Sequence, residues 1–96
     1  MIGSWRDAWL KDFFESDLHS KKIPASLRDR LFRRLQLLDD AASDADLRVP
    51  PSNRFEKLSG RLESWHSIRV NDQWRLVFKW NEGKATQLRL DNHSYR

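Results

Sequence analysis

Apolar residues recur three and four apart in the first half of the chain and alternate with polar ones in the second, the periods of a helix and of a strand. Trp5, Trp9, Leu10, Phe13, Phe14 and Leu18 fall on one stripe, which predicts a helix over residues 7–16. Ile2–Trp5 ahead of it reads either as a short edge strand or as the approach to a capping box in which Ser4 and Asp7 take part. Pro24 suits a first helical turn, and Ile23, Leu27, Leu31, Leu35 and Leu38 follow at helical spacing, so a second helix is expected over 24–42. Its outer face carries Arg28, Asp29, Arg30, Arg33 and Arg34 and reads as a solvated surface with i,i+4 ion pairs. Pro50-Pro51-Ser52-Asn53 then stops the helical pattern and marks a loop.

Alternation from Arg54 onward predicts strands over 54–58, 64–71, 74–80 and 85–91, broken at Ser59-Gly60, Asn71-Asp72-Gln73 and Asn81-Glu82-Gly83-Lys84. Short turns make consecutive strands antiparallel neighbours. The expected fold class is therefore α+β, with two N-terminal helices packed on one face of a twisted antiparallel sheet.

Parity along the strands sorts side chains between the two faces of that sheet. Trp74, Leu76, Phe78 and Trp80 form an apolar set, as do His66, Ile68 and Val70, and Thr86, Leu88 and Leu90. These belong under the helices. Arg69, Arg75, Lys79, Gln87 and Arg89, with Arg54 and Glu56, are left for the opposite face, and continuing past Asp91 puts His93 near its edge. Trp65 shares that parity, where it could stack a base.

Composition narrows the setting. Ninety-six residues, 39% of them hydrophobic, suffice for a single domain spanning 1–96 with one modest core. Without cysteine there is no disulfide and no thiolate metal site, and with no signal-peptide pattern and no membrane-length apolar run the expected location is the cytoplasm, away from membranes. Net charge is +4, and all of the surplus lies beyond residue 53, where nine Lys/Arg face five Asp/Glu. A positive sheet face suits a polyanion, above all nucleic acid. Asp39, Asp40, Asp44 and Asp46 lack the glycine and terminal glutamate of a calcium loop, and three scattered histidines have no ligand spacing, so neither metal nor cofactor is expected. His66 reads as a packed histidine and His19 as a helix-end residue.

Arginines, a carboxylate and an imidazole on one face suit RNA cleavage. RNA brings its own nucleophile, the 2′-OH, so the protein needs a base, an acid and fixed cations for the crowded phosphorane, but no metal. Glu56 is the candidate base and His93 the candidate acid. Arg75 and Arg69 are candidates to hold the phosphate, and Arg54, Arg61 and Lys79 to hold the backbone.

The segments Pro50-Pro51-Ser52-Asn53-Arg54-Phe55-Glu56-Lys57-Leu58-Ser59-Gly60 and Ser67-Ile68-Arg69-Val70-Asn71-Asp72-Gln73-Trp74-Arg75-Leu76-Val77-Phe78 carry a resemblance beyond this physical reading. The chain resembles the HigB toxins of the RelE/ParE superfamily over nearly its whole length, and is most similar to the GraT type. The resemblance implies a RelE-like, microbial-RNase-like fold and a ribosome-dependent, metal-independent mRNA endonuclease that slows growth. It also implies a HigA-type helix-turn-helix antitoxin as partner, with operator DNA bound only through the antitoxin. The family's functional face maps to Arg54, Glu56, Arg69, Arg75 and the C-terminal motif. Where the family ends in Asp-Tyr-His, this chain has Asp91-Asn92-His93, so the tyrosine is either replaced by Asn92 or displaced to Tyr95. The catalytic His and Lys that some members carry on the first strand align with Glu56 and Ser59. The alternative readings are a ParE-like inhibitor of DNA gyrase that cleaves nothing, and a non-catalytic RNA- or ribosome-binding module.

Overall fold

A computed structural model describes residues 1–58 and 64–92. Helix α1 spans Ala8–Ser16 and buries Leu10 and Phe13, the centre of the first apolar stripe. It ends at Asp17, whose left-handed conformation (φ 52°) lets its N–H bond back to Asp12 O, a stop that aspartate tolerates better than most residues. A 3₁₀ turn, Ala25–Leu27, leads into α2, Arg28–Asp40, with Leu31, Leu35 and Leu38 wholly buried. The proline-started pattern is thus helical throughout, but its first turn is wound more tightly than an α-helix.

A one-turn helix α3, Asp44–Leu47, follows, closed by a capping box between Ser43 and Asp46. The acidic cluster has structural duties here. Asp46 accepts from the N–H groups of Ala42 and Ser43, Asp39 accepts from Ile2 N, and Asp44 accepts from the indole N–H of Trp80. Pro51–Asn53 forms a second 3₁₀ turn, where wholly buried Asn53 donates to the carbonyls of Leu47 and Val49.

Among the described residues the sheet has four antiparallel strands in sequential order: β1 Glu56–Lys57, β2 Trp65–Arg69, β3 Arg75–Asn81 and β4 Lys84–Asp91. Ile68, Leu76, Phe78, Ala85, Leu88 and Leu90 meet the buried leucines of α1 and α2 in one core, so the helices cover one face. The N-terminal segment lies along the outer edge of β4 through parallel bridges, Ile2 to Ala85 and Trp5 to Leu88. Edge pairing is therefore the outcome at this end. Asp7 makes no side-chain cap on α1; its carboxylate accepts instead from Leu90 N, and Ser4 Oγ accepts from Gln87 N.

One expected inward residue faces outward. Val77 pairs with Arg89 but Lys79 pairs with Thr86, so two β4 residues oppose one on β3, and Gln87 at the bulge has φ 53°. The extra residue reverses parity on its N-terminal side. Ala85, not Thr86, lies with Leu88 and Leu90 in the core, and Thr86 stands beside Lys79 on the other face.

Candidate active site on the sheet face away from the helices

Strand register lays out this face in three rows. Arg69, Arg75 and Asp91 form one; Glu56, Ser67, Val77 and Arg89 form the next; Trp65, Lys79 and Thr86 form the third. The alternation of β2 and β3 is what brings Arg75 beside Ser67 and Glu56, residues far apart in sequence.

Arg75 is the centre of the group. Although no helix among the described residues covers this face, it is only 4% exposed. Its Nε donates to Ser67 Oγ (2.9 Å), one terminal nitrogen donates to the backbone carbonyl of Arg54 (2.6 Å), and the same nitrogen lies 3.8 Å from Glu56 Oε2. A fork of fixed planar donors suits such divergent acceptors, as a lysine would not. The Glu56 side chain is about half exposed (53%), so its carboxylate is open to solvent while its oxygen adjoins a buried cation.

A second group sits towards the other end of the sheet. The Lys79 ammonium and the Arg89 guanidinium lie 5.3 and 5.4 Å from the centre of the Trp65 ring, within cation–π range. Arg89 Nε is 3.7 Å from Asp91 Oδ2 and, among the described residues, is buried without a hydrogen-bond partner. Trp65 is half-buried beside these cations, so a base stacking on it would meet positive charge on arrival.

The residues expected to act divide accordingly. Glu56 and Arg75 are adjacent, and Lys79 is on the same face. Arg54 precedes β1 in a left-handed conformation (φ 45°), outside the alternation that assigned it to this face; its side chain is exposed and its carbonyl anchors Arg75. Arg69 is drawn off by the β2–β3 turn, where its guanidinium pairs with Asp72. His93, Arg61, Ser59 and Tyr95 lie outside the described residues. Ser67, Arg89 and Asp91 were not singled out as site residues, yet they contact or flank the expected ones. The parity of Ser67 with Arg69 was the available signal, but parity gives the face of a side chain and not its depth.

The other two histidines lie apart from this face. His66, on the core side, stacks on Phe55 with ring centres 5.2 Å apart, and burial holds its pKa below the usual histidine value, Asp44 opposing and Lys57 and Arg48 adding to the effect. His19 lies beyond α1 with Nε2 3.3 Å from Asp17. No group of three or more metal-ligating side chains occurs among the described residues, and no helix among them is long and apolar enough to cross a membrane.

Comparison with known proteins places this geometry. Residues 3–93 match the family described as the RelE-like toxin of type II toxin-antitoxin system HigB. The chain is 50% identical over 95 residues to Toxin HigB-1 of Vibrio cholerae serotype O1, covering 99% of this chain and all of that one. It is 32% identical over 93 residues to Endoribonuclease HigB of Proteus vulgaris, covering 97% and 99%. In fold it is similar to the crystal structure of YafQ from E. coli strain BL21(DE3), with a TM-score of 0.66 at 14% identity over 99% and 97% of the two chains. Helices on one side, a cationic sheet face on the other and sequence identity over almost the full length agree: the chain belongs to the HigB-like toxins of the RelE superfamily.

Proposed function

We propose that this toxin is a metal-independent endoribonuclease that cleaves mRNA on the ribosome, acts in the cytoplasm and is neutralised by a HigA-type helix-turn-helix antitoxin. The observation that carries the reading is the pairing of a buried, preorganised guanidinium, Arg75, with the solvent-open carboxylate of Glu56 on a face flanked by Lys79 and Arg89. The relative named Endoribonuclease HigB supports it. Glu56 takes the proton of the 2′-OH, whose oxygen attacks the adjacent phosphorus. Negative charge gathers on the phosphorane oxygens, where Arg75 stabilises it. The bond to the 5′-oxygen breaks as His93 protonates that oxygen, leaving a 2′,3′-cyclic phosphate and a 5′-OH. Base, acid and the cation at the phosphorane are all side chains in this scheme, so it requires no metal.

The small number of groups on the described part of the face supports ribosome dependence. Among its described strand residues Glu56 is the exposed carboxylate, and Asp91 is buried. Much of the rate must come from holding the linkage in line, and a ribosome that fixes its mRNA supplies that orientation.

Primer extension on transcripts after brief induction tests the proposal, alongside purified toxin with and without ribosomes and with EDTA. Codon-spaced breaks are expected, resistant to EDTA and requiring ribosomes. Glu56→Gln, at an exposed position that tolerates the change, and Arg75→Ala should each lower the rate by roughly 10² to 10³. Intact mRNA together with double-strand DNA breaks would replace this reading with gyrase inhibition. Equal cleavage of free RNA would remove the ribosome from it.

A further inference from the structure

A second cationic site lies around the end of the sheet, on the side of α2. A cleft of about 350 Å³ is lined by Arg30, Arg33, Arg34, Arg69, Ser52 and Asn71, with Val70 as its apolar member. Arg34 is half-buried and fixed in place, its Nε donating to the backbone carbonyl of Arg69 (3.0 Å). Among the described residues, Arg69 is the member of this quartet with a carboxylate within ion-pair distance, Asp72. Among the described residues, none of the i,i+4 ion pairs expected for this helix face is formed. Burial and then the neighbouring charges of Arg30, Arg33 and Arg69 lower the pKa of Arg34, the mark of cations crowded without matching anions.

We infer that this cleft is a binding site for closely spaced phosphoryl groups, separate from the Arg75–Glu56 site. Four guanidiniums against one carboxylate favour a multiply charged anion, and forked donors match phosphate oxygens two at a time. Asn71 turns its Oδ1 to the N–H groups of Gln73 and Trp74, so the amide group it has left for a ligand is a donor as well, and Ser52 adds a hydroxyl. Val70 is the apolar residue among those lining the cleft, so the contacts the cleft offers are chiefly to charged oxygens rather than to an apolar peptide side chain. The ligand is read through its phosphates, whether these belong to an RNA backbone or to a free oligophosphate. The inference does not depend on cleavage.

Calorimetric titration of the whole toxin with inorganic tripolyphosphate tests it. Binding is expected, weakened at least tenfold in the Arg30→Gln/Arg33→Gln double variant, whose sites are exposed on a helix where glutamine is well tolerated. Lys11→Gln/Lys21→Gln removes the same charge from exposed positions elsewhere and should leave affinity within twofold. Absence of binding, or equal loss in both double variants, overturns the inference. A 2′-O-methyl RNA hairpin, which cannot be cleaved, identifies the source. Displacement by tripolyphosphate together with weakening in the Arg30/Arg33 variant assigns the cleft to an RNA backbone; an unaffected hairpin assigns it to a free oligophosphate. Loss of nuclease activity elsewhere leaves all these outcomes unchanged.

Discussion

His66 and Ser67 are neighbours in β2 with opposite surroundings. Ser67 looks outward and is wholly buried, its hydroxyl accepting from Arg75; His66 looks towards the helices, stacked on Phe55 with Nδ1 buried and, among the described residues, unpartnered. An imidazole so placed resists protonation, because its cation would lose water without gaining an acceptor. Its folded-state pKa is below the unfolded value near 6.5, so between the two the unfolded chain binds more protons and stability falls as pH falls. This contribution is complete above about pH 6.5 and is lost as acid reaches the folded-state pKa. Urea midpoints measured at pH 7.5 and 5.5 should therefore drop more for the wild-type protein than for His66→Gln, whose side chain has no charge to gain. Equal drops would show that His66 contributes nothing to acid sensitivity and that carboxylates account for it.

The β3–β4 hairpin shows how far local signals reach. Asn81 pairs with Lys84, leaving Glu82 and Gly83 as a two-residue turn with φ of 52° and 75°, the pair of positive values that defines a type I′ turn. The glycine in Asn81-Glu82-Gly83-Lys84 announced that turn in the sequence; the tight approach of Gly83 to α2's exit did not show there. A Cβ on Gly83 would stand 2.6 Å from the carbonyl oxygen of Ala42. Gly83→Ala combines that clash with an unfavourable backbone and should cost about 1 to 3 kcal/mol in denaturant unfolding. Glu82→Asn should act oppositely, raising stability by up to about 1 kcal/mol, since asparagine accepts left-handed geometry more readily. A Gly83→Ala protein as stable as wild type would mean that the hairpin can move away from Ala42. The bulge at Gln87 left a fainter mark, the adjacent polar pair Thr86-Gln87 between Ala85 and Leu88. Carrying the alternation of Leu88 and Leu90 straight back through that pair is what put Thr86 in the core. Arg69 escaped in a related way, since parity sets the exit direction of its Cβ while a long guanidinium stem can still bend to the Asp72 carboxylate.

The sheet also sorts charge across the molecule. Its helix-free face holds Lys79, Arg89 and buried Arg75, with exposed Arg54 just ahead of β1, while α2 and the β2–β3 turn hold the arginine cleft. A net charge of +4 says nothing of this division. Each cation that meets a phosphate of single-stranded RNA releases condensed counterions, and the logarithm of affinity falls with the logarithm of salt by about 0.7 per contact. A strand lying along the face and touching Arg54, Lys79 and Arg89 should thus give a slope of about −2 for an uncleavable 2′-O-methyl single strand. Lys79→Gln should flatten that slope by about 0.7, because one phosphate contact disappears, whereas Lys11→Gln, on the outer side of α1, should leave it unchanged even though both lower the net charge equally. The slope therefore counts contacts rather than total charge. Identical slopes for the two variants would mean that RNA responds to the protein's overall charge, and the face would lose its claim to be where the strand lies.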